Sequence, residues 1–589
     1  MPQQHCQLLT AFVVTTALVA SALIQPAGAQ RNSNQDHFRR CPQQCTCALD
    51  INQGKKISCE SGGLSDVPFL QMDSDVQVFH FTAPPDLPNE ISLGRFFGRF
   101  FALEEIRITH SRVPAIGENS FYPLRKLQIL DLSHNNISTL IDKDFYGLQQ
   151  LKVLNLSSND ISKCPSAPFR HLQSLTSLIL SNNRLQLAPR LFYQLKNLQR
   201  LDLSGNPLNS IDPDILKDLR PVTRLYLARC NLSSLHSLVY QQLPNLEHLD
   251  LRDNKLTYLA PHEFRHLSRL QFLHLDGNKL TTLKDLTFDG QALAYLGLSR
   301  NSISAVEACA FCNSSISELN LSRNRLESSA RDDPLRALSL SIEKLDLSYN
   351  PTLRGSMVAE FIRNLHRLNV LNLEGIGLYD LPATTFSSVT GLRQLYLNKN
   401  SFSEFRYSLF LELKKLEVLN ISHNNLKFLR SSVIRSLNDT NTRVIMHDNP
   451  WRCQTCYMNH LLNFLSQRPI DDNVKPPLCA DPANVRGRDL YHLKLYELEE
   501  CNNPILEPRI SGTESQVGLV VAIIIIMVIV TIIIATIVIY RTQGAVYYTH
   551  EEDRSRGSLS YDNLGCKEGL NSKRPSIVAT IDDTISRSS

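Results

Sequence analysis

Three sets of side chains in this chain could do chemistry. Cysteines gather in two places: Cys41, Cys45, Cys47 and Cys59 early on, and Cys453, Cys456, Cys479 and Cys501 far downstream. The early spacing, Cys-x3-Cys-x-Cys, is poor for zinc and suits cross-linking in an oxidising compartment. Four cysteines allow three pairings, and spacing alone does not choose between them. Seven Asn-x-Ser/Thr sites, at Asn136, Asn155, Asn231, Asn313, Asn320, Asn420 and Asn438, are acceptors for N-linked glycans and suit a secreted surface. The third set recurs about every 24 residues. Arg200, Arg224, His248, Phe272 and Tyr295 form one series, and Asp202, Tyr226, Asp250 and His274 form a second, two residues further on. Arginine and aromatic residues in that mixture resemble a protein-binding hot spot. The plainer alternative is that outward strand positions are polar and aromatic by propensity. His248, Asp250 and His274 do not make a catalytic centre, because an open sheet excludes no water and orients no nucleophile. No nucleophile elbow, zinc-protease helix or Gly-Lys-Ser/Thr phosphate loop is expected, so the chain reads as a non-enzyme without cofactor or metal.

What must position the third set is a repeat. Residues 127–140 place Leu127, Leu130, Leu132, Ile137 and Leu140 around Asn135, the frame L-x-x-L-x-L-x-x-N-x-L. Its asparagine recurs at Asn159, Asn183, Asn206, Asn254, Asn278, Asn301, Asn324, Asn350, Asn400 and Asn424, and Ser111, Cys230 and Ile376 fill the remaining slots of 14 repeats. Such an array is a solenoid, in which each unit contacts only its neighbours. The L-x-L segment must alternate inward and outward as a short strand, and parallel strands about 4.8 Å apart would stack into one sheet. The asparagine amide can donate and accept, so it can satisfy turn backbone that no sheet partner reaches. The expected fold is therefore an α/β-type solenoid, a leucine-rich-repeat horseshoe with a parallel concave sheet. Phenylalanines at a fixed offset (Phe121, Phe145, Phe169, Phe192, Phe264, Phe288, Phe311, Phe386 and Phe410) form a packing spine on the outer side. Cys164 and Cys230 read as inert buried thiols.

On this frame both functional series lie on the concave face, with Arg229, Arg252 and Arg300 at the strand ends. Asn155, Asn320 and Asn420 share that face, so glycans there would crowd repeats 3, 10 and 14 and leave repeats 5–9 open. Residues 72–110 depart from the pattern and promise one or two irregular repeats. Spacing also stretches near Asn350 and Ile376, close to Cys309 and Cys312, which flank Phe311 and are expected to pair locally.

The ends of the chain define its topology. Residues 1–29 read as a secretory signal, an apolar run leading to Ala27-Gly28-Ala29. Residues 502–516 form a polar stalk, and 517–540 are uncharged and long enough for one transmembrane helix. Arg541 follows at once, consistent with a single-pass type I protein of the plasma membrane, its N-terminus outside. The tail, 541–589, reads as polar and disordered, and is too short for a kinase-like domain. Within it, Tyr561-Asp-Asn-Leu564 matches an endocytic sorting pattern. The net charge of +4 is too mild to indicate nucleic acid.

The cysteine stretches carry a resemblance. Cys41 to Cys59, with Gly63-Leu64-Ser65-Asp66-Val67-Pro68 after it, resembles the N-terminal cap of extracellular leucine-rich-repeat proteins, here 41–71. Asn449-Pro450-Trp451 with its four cysteines resembles their C-terminal cap, here 449–501, with repeats over 72–448 between. The resemblance implies the disulfides Cys41–Cys47, Cys45–Cys59, Cys453–Cys479 and Cys456–Cys501. This chain departs from the family in having two residues, not one, between Cys453 and Cys456. The layout is similar to that of cysteine-capped adhesion and recognition receptors. It implies a cell-surface glycoprotein that binds another ectodomain or a secreted ligand, including a second copy of itself. The alternative is a co-receptor or endocytic modulator acting in the membrane plane.

Overall fold

The structure is a computed structural model describing residues 37–162, 164, 167–327, 333–469, 473–501 and 527–537. The chain divides into two compact units, Met1–Asn502 and Asn503–Ser589. The first is a solenoid built on one sheet of 18 strands. Only the first pair, Thr46–Leu49 with Lys55–Cys59, is antiparallel; from Lys55–Cys59 to Arg443–Ile445 each strand lies parallel to the next coil's strand.

The sequence dictates this coil by coil. Each short strand carries one central apolar side chain inward, such as Leu201, Leu225, Leu249, Leu273 and Leu296, none more than 1% exposed. Removing one such leucine from water contributes roughly 2 kcal/mol, and stacking makes the contributions continuous along the array. The phenylalanines pack in series on the other side of the core: Phe264, Phe288 and Phe311 stack at 5.9 and 5.4 Å.

The asparagine ladder turns each coil. Asn254 Nδ2 donates to Leu227 O (2.8 Å) and Leu251 O (3.0 Å), while its Oδ1 accepts from the amides of Cys230 and Leu232 (both 3.0 Å). At the substituted slot the Cys230 thiol reaches Leu203 O at 3.2 Å. Both Cys164 and Cys230 are free and buried, and burial pushes each thiol up to about 12. The ladder runs past the 14 counted slots, to Asn89 within the irregular stretch 72–110 and to Asn449 at the C-terminal cap, whose Oδ1 atoms accept from Leu64 N and Leu426 N respectively.

The convex side departs from the α/β expectation. Most repeats return through turns, and the α-helices there are Pro213–Leu216, Ser237–Gln242, Gly355–Ile362 and Ser431–Asp439. Coils of about 24 residues leave little chain for a helix once strand and turn are made, and the phenylalanine spine fills the space a longer helix would take. The extra residues before Ile376 are what allow Gly355–Ile362.

The disulfides are Cys41–Cys47, Cys45–Cys59, Cys309–Cys312, Cys453–Cys479 and Cys456–Cys501. The first two staple the antiparallel hairpin that covers the N-terminal end of the core. At the other end Trp451, fully buried, donates its indole N–H to Met446 O at 3.0 Å, and the helix Thr455–Ser466 closes the coil. The expected signal segment 1–29, stalk 502–516 and tail 541–589, with Tyr561 and Leu564, lie outside the described residues. Of the expected membrane segment 517–540, residues 527–537 are described and are helical with exposed apolar side chains. Among the described residues no helix is by itself long and apolar enough to cross a membrane.

Candidate protein-binding site

The strand register sets the functional residues side by side. Arg200, Arg224, His248, Phe272 and Tyr295 are direct neighbours in adjacent strands, followed by Glu318. Asp202, Tyr226, Asp250 and His274 form the next column, in the same register and on the same face. Five strands at about 4.8 Å make this an arc of about 20 Å.

The aromatic rings are contiguous. Tyr226 lies 5.0 Å from His248, which lies 5.8 Å from Phe272 and 5.0 Å from His274, and His274 lies 4.9 Å from Tyr295. At one end the Arg200 guanidinium sits 4.5 Å above the Tyr226 ring, a cation–π contact that holds both side chains flat on the sheet. Arg224 and Phe272 are exposed, and Arg200, Tyr226, His248, His274 and Tyr295 are half-buried.

Burial pushes the His248 imidazolium down to about 4, with the neighbouring His274 charge acting in the same direction. Burial likewise lowers His274, against the pull of the Asp250 carboxylate. Both rings are neutral at pH 7, so the centre of the patch is an uncharged aromatic surface with arginines around it.

Asp250 does not belong to that surface. It was expected among the partner contacts, yet its side chain is 2% exposed. Arg252 donates to it from its backbone amide (3.0 Å), Nε (2.9 Å) and a terminal nitrogen (2.6 Å). Burial alone would raise this carboxyl, but the Arg252 hydrogen bonds outweigh it and hold it below the ordinary range. Asp250 is thus a positioning residue, and the exposed Arg252 takes its place at the patch edge. Arg300 is held similarly by Asp253 at 3.0 Å.

The expectation that no His-Glu-x-x-His motif is present is wrong at the level of sequence: His262-Glu263-Phe264-Arg265-His266 does spell the zinc-protease pattern. The chemistry needs both histidines on one helical turn. Here the segment is a turn, Phe264 is in the spine, His262 pairs with Asp289 at 3.1 Å and Glu263 Oε2 accepts from Ala260 N. The pattern is a by-product of the repeat.

Of the sequons, Asn155, Asn320 and Asn420 do end concave strands, each half-buried with its Oδ1 accepting from the serine amide two residues on. Asn136, Asn313 and Asn438 are exposed, and Asn231 is half-buried and donates to Asn209.

An open parallel sheet in a stack of asparagine-turned coils defines a leucine-rich-repeat solenoid. The chain belongs to the Leucine rich repeat family, whose pattern matches residues 102–161, 150–208, 173–232, 220–280, 273–326, 366–426 and 390–439, just over half of it. The gap after 326 falls where the spacing stretches. Trophoblast glycoprotein of Macaca fascicularis is 30% identical over 182 residues, 30% of this chain and 43% of the relative. The Mus musculus protein of that name is 29% identical over 172 residues, 28% and 40% of the two chains. The match thus spans under half the length of these curated relatives. Among solved structures, a leucine-rich-repeat protein of Leptospira interrogans superposes with a TM-score of 0.51 at 28% identity, covering 64% of this chain and 92% of that one.

Proposed function

We propose that this chain is a cell-surface recognition receptor that binds a protein partner through the concave face of repeats 5–9. The observation that carries the reading is the unbroken run of rings from Tyr226 to Tyr295, held by fixed strand register and edged by Arg200, Arg224 and Arg252. Rigid aromatic and arginine side chains on a pre-formed surface lose little entropy on binding, which is why they dominate interface energetics. A standard interface needs about 800 Å² on each side, so this patch would be its centre, with neighbouring strands as the rim. The single-pass type I topology, the domain limits and the glycans belong to the same proposal: they put the solenoid outside the cell, with glycosylation at Asn155 and Asn320 bounding the patch.

The test uses cells displaying the full chain, probed with multimerised candidate ectodomains and secreted proteins, including this chain's own solenoid. The triple variant Tyr226→Ala, Phe272→Ala, Tyr295→Ala should lose at least tenfold in affinity for a partner found this way while reaching the surface normally. Unchanged affinity would refute the proposed face.

A further inference from the structure

The last two coils carry a second cluster, in which histidine and carboxylate side chains converge without any part in the face described above. His423 Nε2 lies 3.2 Å from Asp448 Oδ2, and His447 Nδ1 lies 2.7 Å from the same oxygen. All three potential ligand atoms lie within 4.8 Å of one another. The two rings are 5.1 Å apart and nearly perpendicular, at 82°, so neither stacks on the other.

The scaffold makes this arrangement rigid. His423 and Asp448 occupy equivalent turn positions of successive coils, both left-handed (φ 52° and 53°), and His423 N donates to His447 O at 3.0 Å. Ladder asparagines Asn424 and Asn449 follow directly and bind the turn carbonyls on both sides. The outer contacts are those of a built site. His423 Nδ1 faces Ser422 Oγ at 3.4 Å, and that hydroxyl donates to Asn420 Oδ1 at 2.8 Å. With its proton on Nδ1, the ring presents the Nε2 lone pair to the cluster. Lys475 Nζ, 2.5 Å from Asp448 Oδ1, engages the other carboxylate oxygen and leaves Oδ2 facing both imidazoles. Partners of this kind orient ligating histidines and carboxylates.

From these contacts the geometry points to a Zn²⁺ site formed by His423, His447 and Asp448, with one coordination position open. Tetrahedral zinc with ligands at about 2.0–2.1 Å holds them roughly 3.4 Å apart. Bound zinc would draw the three ligand atoms, now within 4.8 Å of one another, to that spacing. Two imidazoles and one carboxylate suit zinc, whereas Ca²⁺ and Mg²⁺ want several oxygen ligands, of which this site offers one. The open position would take water or a side chain from a bound partner, giving the C-terminal end of the concave edge a contact of its own.

Chelator-treated full-length protein in detergent, titrated with ZnCl₂ against a competing chromophoric chelator, tests this. Bound zinc is counted by elemental analysis after desalting. Wild type should retain one equivalent more than the His423→Ala, His447→Ala double variant, with no competition from millimolar Ca²⁺ or Mg²⁺. Lys475→Gln removes a positive charge a few ångströms from the metal and frees the Asp448 carboxylate from a competing cation, and should tighten this site about tenfold. Equal zinc content in wild type and double variant, or an affinity indifferent to Lys475→Gln, would overturn the assignment. The Tyr226, Phe272, Tyr295 triple variant should keep its zinc, so failure of either proposal is seen separately.

Discussion

Replacing Asn254 by alanine tests the ladder on which everything else is mounted. The side chain is 5% exposed and makes four close hydrogen bonds, accepting from Cys230 N and Leu232 N and donating to Leu227 O and Leu251 O. Leu251 O also accepts from Asn278 Nδ2 at 2.9 Å and remains satisfied in the variant. The losses are then the acceptor of two buried amides, about 1–3 kcal/mol each, and one donor to Leu227 O, about 1 kcal/mol. The total is about 5 kcal/mol at the middle of that range. Because a solenoid repeat contacts only its neighbours, the effect should be local. Every 1.4 kcal/mol is a factor of ten, so the amides of Cys230 and Leu232 should exchange about a few thousandfold faster. Amides three or more coils away, such as that of Leu132, should be nearly unaffected. Hydrogen exchange of the full-length protein read by mass spectrometry resolves both regions. Acceleration below about tenfold at Cys230 and Leu232 would refute the view that the asparagine, rather than strand pairing and leucine burial, holds the turn. Uniform acceleration along the array would refute the nearest-neighbour picture.

Two further predictions concern charge on the concave face. His248 has a folded-state value of about 4, below its ordinary 6.5, so the unfolded chain binds the extra proton first: stability is full above about pH 6.5 and falls as pH drops towards 4. His248→Phe should flatten that part of the stability–pH curve while keeping the aromatic run, and an unaltered acid slope in thermal melts would contradict the assigned burial. Asp250 is also shifted down, below its ordinary 3.8, but here the shift favours the charged form, so its contribution is present above that value and lost as pH falls through the folded one. Arg252→Ala leaves only the backbone amide of residue 252 to oppose burial and should move the acid-unfolding midpoint to higher pH, a shift that Asp250→Asn in the same background should abolish.

The repeat itself was legible in the residues. A 24-residue leucine frame with a recurrent asparagine admits one architecture, because an alternating strand and a turn-capping amide must recur in register to bury a continuous core. From that register the columns Arg200 to Tyr295 and Asp202 to His274 followed directly, as did the outward direction of Asn155, Asn320 and Asn420. The caps were legible only through resemblance, since four cysteines leave the pairing open.

Other features depended on where long side chains go once the coil exists. Asp250 reads as an outward residue at every level of pattern, yet Arg252, two positions on, folds over it and takes it out of contact. The motif His262–His266 reads as a metal ligand pair until the spine claims Phe264 and denies the segment a helix. His423, His447 and Asp448 lie up to 25 residues apart in the chain, and only the stacking of the last two coils, with Lys475 arriving from the cap, brings their atoms within bonding reach of one ion. The sequence by itself determined the period, and hence the backbone and the faces of the sheet. Tertiary structure alone decided which charged groups neutralise one another and which stay available, because that depends on contacts between coils, and period carries no information about them.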